Sequence, residues 1–466
     1  MCRVLIILLV DESNDNLKHH CGVAGFFSAE PANLPEKLFY SLFSLQHRGQ
    51  ESAGISYRKN GKTITYKDLG MVSTVLSRYL TLDRHATAGI GHVRYSTRGG
   101  NRLENAQPIA VTCNKGDIAL AHNGNISNAA KLHDELTDSG SIFQTTSDTE
   151  LILHMIALSR KKDFYEALME TLNRLEGAFS MVLIHDDSMI VIRDPHGFRP
   201  LYIGMKNGVT AAASETCALE TLNMTEYRQV EPGEIIIIDA EGQRSSFLNP
   251  AGKVSQCIFE LIYFARPDSR VFDESVHGTR KRMGAALWKC DPVKGDVVVP
   301  VPDSGNNAAI GYAEASGIPF DHGLTRNHYA GRSFIMPTTA QRELAVRMKL
   351  HPIRETIAGK KIILVDDSLV RGTTSKILVK MLKDAGAAEV HLRLSSPELK
   401  WPCFFGIDIP TREELISNSK SSNEIAEYIG ADSVMFLPVE KLKECVNESD
   451  NYCYACFCGE YPVKVE

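Results

Sequence analysis

Residues 362–375 read IILVDDSLVRGTTS, and few chain arrangements satisfy that run. Four apolar residues lead straight into two carboxylates, then into Arg371-Gly372-Thr373-Thr374-Ser375 at the head of a helical pattern. An unbroken apolar strand belongs in a parallel sheet covered on both faces. Its carboxyl end, where Asp366 and Asp367 fall, is where open α/β sheets bind ligands. Gly372 lets the backbone come close to a ligand. The N–H groups and hydroxyls that follow suit a phosphate at the positive end of a helix. Asp366 and Asp367 suit ribose hydroxyls or a hard cation such as Mg²⁺. A plain strand-to-helix turn with aspartate as its cap is the alternative. The nucleotide P-loop pattern G-x-x-x-x-G-K-[ST] is absent.

The chain around this run has two grammars. In the second half, strands are expected at 295–301, 361–366 and 389–394, with helices at 306–316 and 373–385, an α/β alternation. The first half reads as hairpins with a few helices. Residues 178–194 are two apolar runs about His185-Asp186-Asp187-Ser188, and residues 234–247 repeat the design about Glu241-Gly242. Ser147, with Glu150 three residues on, predicts a capping box ahead of a helix over 147–160. Gly252-Lys253 marks the change, so the expected division is a leader 1–20, one domain 21–252 and a second 253–466.

At 466 residues, 43% hydrophobic and 23% charged, the chain has material for several cores. Its formal charge of −6 offers no basic field for nucleic acid or an anionic membrane. The apolar run 4–10 is too short to span a bilayer, and DESNDNLKHH behind it offers no cleavage site of the secretory kind. A cytoplasmic protein is expected. Eleven cysteines, an odd count without the framing of a secreted disulfide scaffold, point to metal or catalysis.

Residues 362–375 resemble the phosphoribosyl pyrophosphate (PRPP) motif of type I phosphoribosyltransferases. The resemblance implies that Asp366 and Asp367 contact ribose and Mg²⁺, while Arg371, Gly372, Thr373, Thr374 and Ser375 hold the 5-phosphate. Residues 301–307 (VPDSGNN) are similar to that family's pyrophosphate-side loop, with Ser304 near the metal. In the first half, CGVAG at Cys21 is followed by LQHRGQESAG, GHVRYST, AHNGN and SDTE in that order. This set resembles the class II glutamine amidotransferases, N-terminal nucleophile hydrolases with stacked antiparallel sheets and helices. In this order the two halves, from Cys21 onward, resemble the amidophosphoribosyltransferase family and its iron–sulfur branch. The fold implied is an α+β nucleophile-hydrolase domain followed by an α/β phosphoribosyltransferase domain with a parallel sheet. The reaction implied is glutamine-dependent amination of PRPP to 5-phosphoribosylamine, releasing glutamate and pyrophosphate, at the opening of purine synthesis.

The resemblance also assigns roles. Removal of residues 1–20 would make Cys21 the N-terminus, with its own α-amine as base, a group that titrates near neutrality. Asn123 and the Gly124 N–H would form the oxyanion hole. Arg94 would fork onto the glutamine α-carboxylate, and Asp148 would pair with its α-ammonium. Taken singly, Arg94 could be a surface ion pair, Asp148 a helix cap, and Asn123-Gly124 a hairpin turn. Residues 326–337 fit a loop that closes over PRPP, with Arg332 on the pyrophosphate. His328 stands where relatives usually carry arginine, and His20 where they usually carry an acid before the cysteine. Cys257, Cys403, Cys453 and Cys456 occupy cluster-ligand positions, implying a [4Fe–4S] cluster, with Zn²⁺ as the alternative for four thiolates. A homo-oligomer, a tetramer by resemblance, and feedback inhibition by purine nucleotides are also implied. Two rivals stand further off. One is amide transfer to another acceptor, against which no Ser-Gly-Gly-x-Asp-Ser ATP loop is found. The other is a PRPP-binding regulator with a dead glutaminase.

Overall fold

A computed structural model describes residues 21–80, 85–95, 102–250, 252–328, 344 and 346–464. The chain divides into two compact units that exchange segments. One holds the described residues up to Arg280 together with Trp401–Asp408 and 443–464. The other holds Lys281–Lys400 and Ile409–Leu442.

The first unit is built on two antiparallel sheets. One has the order β11-β9-β10-β1-β4-β2-β3, from β1 (Gly22–Asn33), β2 (Ser52–Lys59), β3 (Lys62–Leu69), β4 (His85–Arg94), β9 (Tyr202–Lys206), β10 (Val209–Ala213) and β11 (Tyr227–Gln229). The other has the order β13-β12-β8-β7-β6-β5, from β5 (Ile109–Cys113), β6 (Gly116–Ile126), β7 (Gly177–His185), β8 (Ser188–Arg193), β12 (Glu234–Asp239) and β13 (Gly242–Phe247). Strand periodicity explains how they stack. Val23 and Phe27 of β1 meet Val182 and Ile184 of β7 in one core between the sheets. The alternate residues Ala24 and Phe26 face Leu34, Leu38 and Leu42 of the helix Leu34–Ser44. Met181 and Leu183 face the helices Asp148–Leu158 and Phe164–Leu172. The order is helix, sheet, sheet, helix, so β7 is apolar on both faces. Each buried leucine of that first helix contributes about 1.5–3 kcal/mol relative to exposure. Pro35 in its first turn fixes φ where no backbone donor is needed.

Both expected hairpins form, as β7–β8 and β12–β13. The capping box does not. Ser147 caps the helix by accepting from the Thr149 N–H at 3.3 Å, while Glu150 accepts from the Gln144 and Thr145 N–H groups. The turn ahead of the helix offers its donors to the carboxylate and takes it away from the Ser147 N–H.

The second unit holds a four-stranded sheet, wholly parallel, in the order Val297–Pro300, Lys361–Asp366, Glu389–Leu394, Ser433–Phe436. The helices Asn306–Ser316 and Thr373–Asp384 fall where the alternation predicts. Val299, Leu364 and Leu392 from three adjacent strands share one core with Leu378 and Leu382 of the second helix. Among the described residues no helix is long and apolar enough to cross a membrane.

Candidate functional site

Cys21 stands one residue ahead of β1, whose first ladder pair is Gly22 with Val93 of β4. That pairing sets Arg94 beside it. The thiol is partly buried, with Sγ 3.7 Å from the Tyr95 carbonyl oxygen. Burial pushes the Cys21 thiol above its ordinary value and Arg94 pulls the other way, so attack needs a base. Arg48 Nε donates to the Cys21 carbonyl at 3.0 Å, and its fork grips Glu260 at 2.8 and 2.9 Å. Glu215 closes the network against Arg48 and His47. These side chains of Arg48, Glu215 and Glu260 are wholly buried. Burial opposes the Arg48 charge, yet Glu260 and Glu215 hold it above the usual range.

The two sheets meet polar to polar at His92 of β4 and His122 of β6. His92 Nε2 lies 3.1 Å from the His122 carbonyl oxygen. Burial takes the His92 pKa down to about 3, and Arg94 pushes the same way. The ring is therefore neutral, and Nε2 carries the proton because a carbonyl only accepts. Arg94 and Gly124 each stand two residues along from this contact.

Asn123 and Gly124 lie inside β6 and not in a turn. β5 pairs with β6 only as far as Leu120, whereas β7 continues to Ile126. Beyond Leu120 one edge of β6 is therefore open, and side chains cap it. The His122 N–H donates to Gln107 Oε1 at 2.7 Å, and the Ile126 N–H to Asp148 Oδ2 at 3.1 Å. Strand alternation puts the Gly124 N–H on that same edge, between the two capped groups. Among the described residues, neither polar atom of the buried Asn123 amide has a partner. A Cβ at position 124 would lie 1.9 Å from the Ala178 carbonyl oxygen, so only glycine fits. Asp148 opens its helix, with Oδ1 3.5 Å from His122 Nδ1.

In the second unit, Asp366 and Asp367 are buried at the carboxyl end of their strand. Burial first, and the Asp367 charge second, push the Asp366 carboxyl well above the usual range. Ser304 Oγ donates to Asp366 at 3.4 Å. Gly372, at φ +77°, caps the helix Thr373–Asp384 and, as glycine, brings no side chain of its own to the first turn. Ser375 is buried in that turn, and Arg371 is tied to Glu414. Arg332 lies outside the described residues, as do His20 and the rest of the leader. His328 is described and exposed.

Cys257, Cys403, Cys453 and Cys456 line one narrow apolar pocket in the first unit, walled by Phe198, Phe405 and Tyr461. Gln256–Cys257 runs parallel to Tyr452–Cys453, which sets Cys257 opposite Cys453. Burial pushes all four thiols up, Cys257 to about 12. Among the described residues no three His, Cys, Asp or Glu side chains stand ready-arranged around a metal ion. Reading the sequence alone missed His92, His122, Gln107 and the Arg48–Glu215–Glu260 network. Charged residues inside apolar runs, such as Glu260 in FELIYF, were the available signal for the last.

These features define a glutamine amidotransferase joined to a phosphate-binding α/β unit, and known proteins agree. A glutamine amidotransferase domain model matches residues 92–221. Amidophosphoribosyltransferase of Bacillus subtilis is 45% identical over 96% of this chain and 95% of its own length. That of Methanocaldococcus jannaschii is 44% identical, over 96% and 98%. Chloroplastic amidophosphoribosyltransferase 2 of Arabidopsis thaliana is 45% identical, over 97% and 81%. The structure of the glutamine PRPP amidotransferase from B. subtilis, complexed with ADP and GMP, superposes with a TM-score of 0.89 at 45% identity, covering 96% of this chain and 98% of that one. The chain belongs to the amidophosphoribosyltransferase family, enzymes that use glutamine to aminate PRPP in purine biosynthesis.

Proposed function

We propose that Cys21 is the glutaminase nucleophile and that residues 366–375 carry the phosphoribosyl transfer. The open edge of β6 carries this reading: the Gly124 N–H faces that edge between two capped groups, and the buried Asn123 amide beside it has no partner among the described residues, an arrangement suited to an oxyanion. The Cys21 thiolate adds to the glutamine side-chain carbonyl, and the oxygen takes negative charge against those donors. Arg94 and Asp148 orient the substrate through its α-carboxylate and α-ammonium. Collapse releases ammonia and leaves a thioester, which water cleaves to glutamate. The proton leaving Cys21 goes to its own α-amine once residues 1–20 are removed. N-terminal sequencing of active enzyme tests this step, and a chain still beginning at Met1 or Cys2 would exclude it.

Ammonia then displaces pyrophosphate from C1 of PRPP. Asp366 and Asp367 face the ribose, and the N-terminus of the helix Thr373–Asp384 takes the 5-phosphate, with Arg371 and Ser375 beside it. Arg332 is assigned to the pyrophosphate. The repulsion between Asp366 and Asp367 suits a bound cation, so with Ser304 they would hold Mg²⁺, which when bound would supply positive charge for the pyrophosphate. Four thiols lining one apolar pocket suit a thiophilic group. Cys257, Cys403, Cys453 and Cys456 would hold a [4Fe–4S] cluster, with zinc as the alternative, and its contribution is structural.

The functional division is 1–20 as leader, 21–252 as glutaminase and 253–466 as phosphoribosyltransferase with its cysteine-bearing tail. The ADP and GMP in the B. subtilis complex support feedback inhibition by purine nucleotides. A cytoplasmic homo-oligomer completes the reading. The test is PRPP-dependent release of glutamate and pyrophosphate, with Cys21→Ala beside wild type. The variant is expected to lose glutamine use and keep the ammonia-supported reaction. Loss of both activities, or of neither, would contradict the division of labour.

A further inference from the structure

The free stretch of β6 is exposed to deformation in a way the rest of the sheet is not. β7 holds one edge of residues 121–126, and among the described residues no strand holds the other. The oxyanion donors need placing to within a few tenths of an ångström, because electrostatic stabilisation depends on donors fixed before charge develops.

The loop Trp401–Asp408, far away in sequence, supplies the missing support. Asn125 Nδ2 donates to the Phe404 carbonyl at 2.8 Å. Gly406, at φ +98°, lies directly on Gly124. A Cβ there would stand 3.2 Å from the Gly124 carbonyl carbon and 3.2 Å from Arg199 Nη2. Arg199 is buried, donates to the Phe405 carbonyl and reaches Glu260 at 3.2 Å. Glu260 is the carboxylate that grips Arg48, and Arg48 holds the Cys21 carbonyl. The loop is itself fixed from behind. Phe405 stacks on Phe198 at 4.3 Å, its N–H donates to Cys403 Sγ, and Tyr461 holds the Pro402 carbonyl. One loop thus braces both the oxyanion strand and, through Arg199 and Glu260, the nucleophile's backbone.

We propose that the loop Trp401–Asp408 is a positioning element for the glutaminase site, acting on Gly124 through Asn125 and Gly406. Neither residue touches substrate. Asn125 keeps the Gly124 peptide at the depth the oxyanion needs, and Gly406 is the only residue that lets the loop lie close enough to do so. The inference rests on the assignment of Cys21 and Gly124 above.

The test is Asn125→Ala and Gly406→Ala in the full-length enzyme, each assayed with glutamine and with ammonia. The glutamine-dependent kcat is expected to fall roughly tenfold, with KM for glutamine changed by less than about twofold and the ammonia rate unchanged. Glutamate γ-semialdehyde closes a tetrahedral adduct on a thiol, so its affinity should fall in step with kcat. Affinity for glutamate should hold. Equal loss with both nitrogen sources would make the two residues merely structural and overturn the proposal. A raised KM at unchanged kcat would place Asn125 in substrate binding and overturn it equally. Asn125→Ala adds no atoms and decides the matter where Gly406→Ala fails to accumulate. A Cys21→Ser enzyme that still used glutamine would instead overturn the assignment on which the inference rests.

Discussion

Asn123 and Asp366 are both buried polar side chains at the working part of a strand, and they are kept ready in opposite ways. Asn123 is neutral and, among the described residues, has no partner for either polar atom. Asp366 is crowded by a second carboxylate and pushed toward protonation. A neutral dipole without a partner costs a few kcal/mol in an apolar site and is rigid before substrate arrives. Two carboxylates side by side cannot both ionise cheaply, and a bound cation would relieve that repulsion. The glutamine site is thus preorganised by packing, the PRPP site by charge. The first should fail when packing changes, the second when charge changes.

The largest effect is expected at Gly124. A β-carbon there collides with the Ala178 carbonyl at 1.9 Å and must push β6 away from β7. Gly124→Ala should cut glutamine-dependent kcat by about 10²–10³, or ~3–4 kcal/mol, as for removal of an oxyanion donor. The ammonia-supported rate should persist. A variant that used glutamine within tenfold of wild type would show that packing does not set this site.

The unequal legibility of the two sites follows from the same contrast. Lys361–Asp366, Gly372 and the helix Thr373–Asp384 are contiguous, so apolar run, carboxylates, glycine and helix start stand in line in the sequence. The glutamine site is assembled across sheets. Asn123-Gly124 reads equally well as a turn, because what makes it a strand is β7, more than fifty residues away. The Arg48–Glu260 pair spans 212 positions and leaves no periodic trace. Even a local signal fails when other donors compete, as where Glu150 takes the Gln144 and Thr145 N–H groups in place of that of Ser147. Family resemblance is what nominates Cys21, Arg94, Asn123, Gly124 and Asp148 for the proposed site. It does not supply the physical reason that the Gly124 N–H faces an open edge, which is the short reach of β5.

The second prediction concerns pH. His92 keeps a pKa of about 3 in the folded protein against 6.5 for the model imidazole, chiefly through burial. Below 6.5 the unfolded chain binds a proton that the folded one refuses. Folded stability therefore falls as pH drops, by ~1.4 kcal/mol per unit, until the folded pKa is reached. His92→Asn keeps a donor for the His122 carbonyl and removes the titration. The stability difference between variant and wild type should shift in the variant's favour by about 2 kcal/mol between pH 6.5 and 5, read from urea unfolding at each pH. Parallel curves would mean that the packed edge tolerates a charged ring.

The smallest effect tests the charged side of the comparison. Asp366→Asn removes one member of the crowded pair and keeps the shape, along with an oxygen able to accept from Ser304. In the protein without added cation, unfolding free energy should rise by about 1 kcal/mol, because the like-charge repulsion is gone. Added Mg²⁺ and PRPP should stabilise wild type strongly and the variant weakly, measured as a shift in Tm, since the carboxylate that met the cation is lost. Stability and ligand response then move in opposite directions. That combination cannot arise at a site organised by packing, where removing a functional group and losing fit go together. Were Asp366→Asn instead destabilising without ligand, the carboxylate would be a structural anchor, and the contrast with Asn123 would collapse into two versions of one design.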